Sequence, residues 1–371
     1  MARFRATSCA TSAFRAGANL AQQGAIRQSE RFHRSVRAMD LRDDSFWMGR
    51  RYARSLLEVT NDLSRLDDGN FWAVSISFDG EVTLARFRSN FAADFPFSGS
   101  QWRPIQGDWI SSLGKEQYCE YVEKIRSSIS DGWVYQVNAC RQLHVPSDRD
   151  ELASLFGKLL RENPAPHAAF LSLPQLKIAS ASPELFLSRN GLTVKTSPIK
   201  GTQNLSEQVF GNKDQSENVM IVDLMRNDFG RICEPGSVDV SHLLRSEEHP
   251  GLRHLVSDVV GKLRKDITWT EIFEALLPAG SISGAPKSSA LSVIAENEEI
   301  KRGPYCGVLG WVEGDRAELS VAIRIFWQEN DGFLKFGTGA GITYGSDPVS
   351  EWEETELKAQ RLISIAGGSI K

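Results

Sequence analysis

Two kinds of side chain in this sequence could do chemistry: a lysine on a restricted bend, and carboxylates repeated about one helical turn apart. The lysine is Lys200, in Ser197-Pro198-Ile199-Lys200-Gly201-Thr202. Pro198 and Gly201 stop an apolar run and hold the residue on a short turn, either as a solvated loop charge or as an aimed amine. The carboxylates are Glu351 and Glu354, which share one face of a predicted helix with Lys358. That pattern suits either a salt-bridged surface or part of a site for a hard cation such as Mg²⁺, which takes oxygen ligands and few protein carboxylates. Glu217, in the first turn of another predicted helix, would add a further donor if the two helices meet. The segment 278–287, PAGSISGAPK, offers backbone N–H groups and close approach through its glycines, or is a plain connecting loop. It lacks the GxxxxGK[ST] spacing of a P-loop. Gly339-Ala340-Gly341 is a weak dinucleotide signal, because no helix opens directly after it. His254, flanked by apolar residues, reads as a hydrogen-bonded core histidine or a site residue.

The elements that must position these groups follow from turn signals and periodicity. Asn190-Gly191 predicts a hairpin between 184–188 and 192–196, and Asp79-Gly80 predicts one between 71–78 and 81–87. Residues 95–107 read as a Gly-, Pro- and Ser-rich loop. Tyr118, Val122, Ile125 and Ile129 predict an amphipathic helix over 114–129. A strand over 133–145 would put Tyr135, Val137 and Ala139 on one side and Gln136 and Asn138 on the other. Helices are predicted over 150–161, 216–229 with Ser216 as N-cap, 268–276, and 347–366 behind Asp347-Pro348. Pro286 is placed as the first residue of another helix. Further strands are expected at 251–263, 304–312, 317–327 and 333–341. Hairpin-paired strands with long helices between them indicate an α+β fold rather than a doubly wound parallel sheet.

Of 371 residues, 41% are hydrophobic and 24% charged, which fits a globular chain with a large core. The net charge of −4 gives no bulk reason to expect nucleic acid or an acidic membrane as partner. No apolar run is long enough to cross a bilayer. Five scattered cysteines without a CxxC pair argue against zinc ribbons and disulfide frameworks, and fit a reducing cytoplasm. Residues 1–37 carry seven arginines and one acid, Glu30, which fits an organellar transit peptide or sequence upstream of a true start at Met39. The expected organisation is a basic extension over 1–38, a short divergent portion over 39–109, and a catalytic domain over 110–371.

Eight segments in order resemble the chorismate-utilising enzyme family: YQVNACRQL, ASPELFL, SPIKGT, ENVMIVDLMRNDFGRIC, HLVS, GSISGAPK, RGPYCG and GTGAGITYGSDPVSEWEET. The resemblance implies an α+β fold of two large, mainly antiparallel sheets with helices packed outside. It also implies Mg²⁺ held by Glu217 and Glu354, with Glu351 close by, and chorismate as substrate. Glu184 would protonate the departing 4-hydroxyl, and Lys200, as a neutral amine, would attack C2. Tyr305 and Arg324 would grip the enolpyruvyl carboxylate. Gly201, Thr202, His254, Ser281, Gly339, Gly341 and Lys358 also fall at the family's substrate-binding positions. Lys200 together with Gln136 points to the members that put an amino group at C4, since water-using members carry lysine where Gln136 stands. Ammonia would come from a separate class I glutamine amidotransferase subunit, and free ammonium should serve without it. Amination at the other ring position, water-dependent chemistry, and a non-catalytic binding subunit remain open alternatives. The N-terminal portion is short and matches the family's poorly, which argues against feedback inhibition by tryptophan and leaves open whether a tryptophan site remains.

Overall fold

The computed structural model describes residues 44–147, 151–204, 210–249 and 252–371. The arginine-rich segment and Met39 lie outside these residues, as do Asp150 and Gly251, where a helix and a strand were expected to begin. No helix among the described residues is long and apolar enough to cross a membrane.

Strand pairing runs as one antiparallel succession with two halves. The first half passes through Asp239–His249, Leu252–Lys262, Thr193–Ser197, Leu185–Asn190, Arg316–Val321, Val308–Glu313, Phe71–Ile76, Val82–Ala92 and Arg51–Thr60. The second passes through Ser45–Met48, Ala169–Ser172, Lys177–Ser180, Ile325–Gln328, Phe333–Ile342 and Gln136–Pro146. Ser45–Met48 also pairs with Arg51–Thr60, so the two expected sheets are halves of one ladder joined at this strand. The Gly367–Ile370 strand lies parallel on Ile105–Ser111 at the far edge.

Seven α-helices accompany the strands among the described residues: α1 Lys115–Ser130, α2 Leu152–Glu162, α3 Asn212–Ile232, α4 Trp269–Leu276, α5 Gly280–Ser283, α6 Lys287–Asn297 and α7 Pro348–Ala366. The face of α1 read from its spacing is buried: Tyr118, Val122 and Ile125 pack with Val137, Ala139, Ala340 and Ile342 of the two central strands. Helices α3 and α4 bury Ile221, Val222, Phe229, Trp269 and Phe273 in the other core, which also includes Val259. Each such side chain contributes about 1.5–3 kcal/mol when fully buried, which fixes these elements firmly against the strands. Asp347 caps α7 by accepting from the Ser350 N–H at 2.8 Å, and Thr268 and Glu271 form a capping box on α4.

Several sequence expectations need correction. Helix α3 starts at Asn212 behind Gly211, so Ser216 is inside the helix and Glu217 lies in its second turn. The strand expected over 317–327 breaks after Val321, because Arg324 adopts a left-handed φ of 54° that an extended strand cannot carry. The strand expected from Pro304 begins at Val308, since Gly307 N–H closes a turn onto the Pro304 carbonyl at 3.0 Å. The segment before Pro286 contains the short helix α5, and Pro286 is the N-cap of α6 rather than its first residue. Part of the loop near 95–107 is strand, from Ile105. Tyr135 is exposed outside its expected strand, whereas Gln136 and Val137 are both buried.

Candidate active site

Both halves of the ladder contribute to one cluster of functional groups. Lys200 leaves the Ile199–Asn204 strand, and its side-chain nitrogen donates to the Ser281 carbonyl at 3.0 Å. Glu184 stands immediately before the Leu185–Asn190 strand, buried, where the Ser281 hydroxyl and the Ile199 N–H favour its ionised form. Ser281 therefore serves both groups. Burial pushes the Glu184 carboxyl up to about 7, against the opposing pull of Ser281, Lys200, Ile199 and His167. Burial also lowers the Lys200 amine, while Glu217, Glu184 and Glu354 pull it back up and Lys358 pushes it down. Much of the Lys200 side chain is only half-buried, but its nitrogen sits at the desolvated end.

Gln136 begins the Gln136–Pro146 strand, and its Nε2 donates to Glu217 Oε2 at 3.3 Å. The opposite atom of that amide, Oε1, is buried and meets no donor among the described residues. Gly341 faces the same point. A Cβ there would come within 2.5 Å of Gln136 Nε2 and 3.7 Å of Lys200 Nζ. Gly339 exposes its carbonyl to Lys358 Nζ at 3.1 Å, and Lys358 also pairs with Glu354 at 2.6 Å. Glu351 is buried one turn earlier on α7. Its charge and that of Glu354 both act on the buried Tyr118 hydroxyl. Among the described residues no cluster of three or more His, Cys, Asp or Glu side chains forms a ready metal cage.

Arg324 is held by the left-handed turn that ends the Arg316–Val321 strand. Burial and the nearby Arg361 guanidinium push it down to about 10, and Glu184 opposes this. No hydrogen bond or ion pair from its guanidinium is made among the described residues. A desolvated, unpaired cation of this kind is poised for an anion. Tyr305 is buried with its ring against Gly337, where any Cβ would overlap it at 2.1 Å.

Not every predicted residue joins the cluster. Gly201, at φ +80°, packs on Asp214 and Phe210 of the α3 approach, so its lack of a side chain serves helix docking. His254 is buried in the Leu252–Lys262 strand, opposite Thr202 in register; the Thr202 side chain lies outside the described residues. Three groups that sequence reasoning missed also act here. His167 and Arg361 influence Glu184 and Arg324, and neither sits in a motif that spacing would single out. Arg302 lies within RGPYCG, yet its buried contacts depend on long-range packing.

The chain is similar to known proteins in both sequence and fold. A family model described as chorismate binding enzyme matches residues 79–364. Anthranilate synthase component 1 of Saccharolobus solfataricus is 36% identical over 268 residues, covering 69% of this chain and 63% of that one. Aminodeoxychorismate synthase component 1 of Escherichia coli is 36% identical over 279 residues, covering 72% and 61%. The chain thus spans about three-fifths of the length of these curated relatives. Anthranilate synthase component I from Streptococcus pneumoniae has the same fold, with a TM-score of 0.72 at 23% identity over 81% of this chain and 84% of that one. With fold, motif order and family model in agreement, the chain belongs to the chorismate binding enzyme family.

Proposed function

We propose that this chain is an aminodeoxychorismate synthase component 1, which replaces the 4-hydroxyl of chorismate by an amino group to give 4-amino-4-deoxychorismate. The observation that carries the reading is the pairing of a buried carboxyl near neutrality, Glu184, with a desolvated amine, Lys200, through one serine. Glu184 donates its proton to the 4-hydroxyl, which leaves as water. Lys200 attacks C2 as the ring double bonds shift and the C4–O bond breaks. Ammonia then adds at C4, the double bonds shift back, and the C2–N bond to lysine breaks. Proton transfer to Glu184 restores the acid.

Arg324 binds a substrate carboxylate as a bidentate fork. Gln136 is anchored through Nε2 on Glu217, and its buried Oε1, without a donor among the described residues, is an acceptor that suits an incoming N–H. Glu217 and Glu354 supply hard oxygen donors from α3 and α7, and both act on the Lys200 nitrogen. They fit Mg²⁺, which takes one or two carboxylates and fills its shell with water and substrate oxygens. When bound, the ion would polarise the ring carboxylate as a Lewis acid. Glu351 stands behind Glu354 to complete the acidic face.

A relative named component 1 implies a partner subunit, and we assign that partner to a glutamine amidotransferase that delivers ammonia. The reading is tested by turnover of chorismate by the isolated chain with Mg²⁺ and ammonium. Turnover that stops when ammonium is withdrawn supports it, and turnover unchanged without any nitrogen source rejects it. Amination at the position that yields anthranilate is the second reading. The equal 36% identity to an anthranilate synthase component favours keeping it in view.

A further inference from the structure

The Gln136–Pro146 strand is paired along one edge, from Val137 to Pro146, by Phe333–Ile342. Its other edge is covered in two places. Gly284–Ala285 stands opposite Val137 and Gln136, and Ile105–Ser111 reaches Leu143 and His144. Between these two partners, Asn138–Cys140 has no strand beside it on that edge among the described residues. A buried ion pair takes the strand's place. Arg302 Nη2 donates to the Asn138 carbonyl at 2.7 Å, and Glu298 Oε1 accepts from the Cys140 N–H at 3.2 Å. These are one carbonyl and one N–H two residues apart, the groups a neighbouring strand would satisfy.

The pair is rigid. Arg302 meets both Glu298 oxygens at 2.7 Å, and their side chains are 2% and 7% exposed. The third guanidinium nitrogen, Nη1, donates to the Ile282 carbonyl at 3.0 Å, and the Phe78 ring lies 4.2 Å from the guanidinium carbon. Ile282 follows Ser281 in α5. Through Ile282, Arg302 therefore ties the neighbour of Ser281 to the strand that carries Gln136.

We propose that Arg302 and Glu298 are positioning residues: they stand in for a strand along Asn138–Cys140 and hold Ser281 in register with Gln136. Neither touches the reacting groups. A planar fork with five donors can satisfy a carboxylate and two carbonyls at once, and a lysine ammonium cannot do so in that plane. Displacing Ser281 would loosen Glu184 and Lys200 together. A misplacement of about 1 Å costs about 100-fold in rate where orientation carries catalysis.

The test is Arg302→Lys, which keeps the buried charge beside Glu298. Its catalytic part rests on the function proposed above; its exchange part does not. Hydrogen exchange should quicken at Cys140 and across α5 while the rest of the core stays protected. With chorismate, kcat should fall by about 100-fold with little change in KM. Combining Arg302→Lys with Ser281→Ala should cost less than the product of the two single losses, because the Glu184 contact is shared while the Ser281 carbonyl that holds Lys200 remains. Unchanged exchange at Cys140 and α5, or losses that multiply in the double variant, would overturn the proposal. A uniform drop in protection with normal kcat would reduce the pair to a general stabiliser and overturn it as well. If the wild type does not turn over chorismate, the functional reading fails while the exchange measurement still decides the positioning claim.

Discussion

Lys200 and Glu184 meet at one residue: the Ser281 carbonyl accepts from the lysine nitrogen at 3.0 Å, and the Ser281 hydroxyl favours the ionised form of the Glu184 carboxyl. That hydroxyl holds the Glu184 value down against burial. Removing it with Ser281→Ala should therefore raise the value above about 7. For the wild type, kcat/KM should fall as pH rises through about 7, when Glu184 loses its proton. In Ser281→Ala the alkaline limb should move upward, and Glu184→Gln should cost about 100- to 10,000-fold at neutral pH. A pH–rate series on the three proteins checks this. An alkaline limb that stays in place without the Ser281 hydroxyl would separate Glu184 from the acid role.

Glu184 also makes a prediction about stability. Its folded value of about 7 lies above the ordinary 4.5, so between those pH values the native protein keeps a proton that the unfolded chain has released. Stability is therefore lost as pH rises through that window. Glu184→Gln removes the titration, and its stability relative to wild type should improve between pH 5 and pH 8 by up to about 3 kcal/mol. Denaturant unfolding at the two pH values measures the difference. Parallel curves for the two proteins would show that the carboxyl ionises without cost.

Gly341→Ala tests the geometry at Gln136. The new Cβ would lie 2.5 Å from Gln136 Nε2, the end of a flexible side chain, so the amide must leave Glu217 while the fold tolerates the change. Stability should shift by less than about 1 kcal/mol, in keeping with a flexible side chain giving way. Ammonia-dependent turnover should drop at least tenfold, about 1.4 kcal/mol in the barrier. Retained activity in a well-folded variant would show that the position of the Gln136 amide does not matter.

Arg324 carries the substrate-binding claim. Its guanidinium is desolvated and makes no ion pair among the described residues, so a carboxylate ligand would meet a cation already stripped of water. Arg324→Ala should weaken chorismate binding by about 2–5 kcal/mol, read as a higher Kd in calorimetry. Arg324→Lys should rescue little, since the bidentate fork is lost. Binding that survives Arg324→Ala would move the carboxylate contact elsewhere.

Sequence legibility followed physical locality. Hairpins announced by Asn190-Gly191 and Asp79-Gly80 formed where expected, because turn chemistry is local. The buried face of α1 was readable from its period. The start of α3 was not: Gly211 caps it with backbone alone, while Ser216 and Glu217 imitate a cap inside the helix. Arg324 broke an otherwise convincing strand because its left-handed φ leaves no mark in composition. Lys200, Glu184, Gln136 and Glu217 were all legible through motif resemblance, and the structure brings them together. The Glu298–Arg302 pair was not legible, since its role depends on which edge of a distant strand is left unpaired. His167 reached Glu184 through tertiary packing alone.

The measurement that bears most directly on the central claim is product identity. Purified chain would be incubated with chorismate, Mg²⁺ and ammonium, and the products separated by chromatography with and without added aminodeoxychorismate lyase. The predicted result is 4-amino-4-deoxychorismate, converted by the lyase to p-aminobenzoate and absent with Lys200→Ala. Anthranilate, or a hydroxylated product formed without ammonium, would contradict the roles given to Lys200 and Gln136.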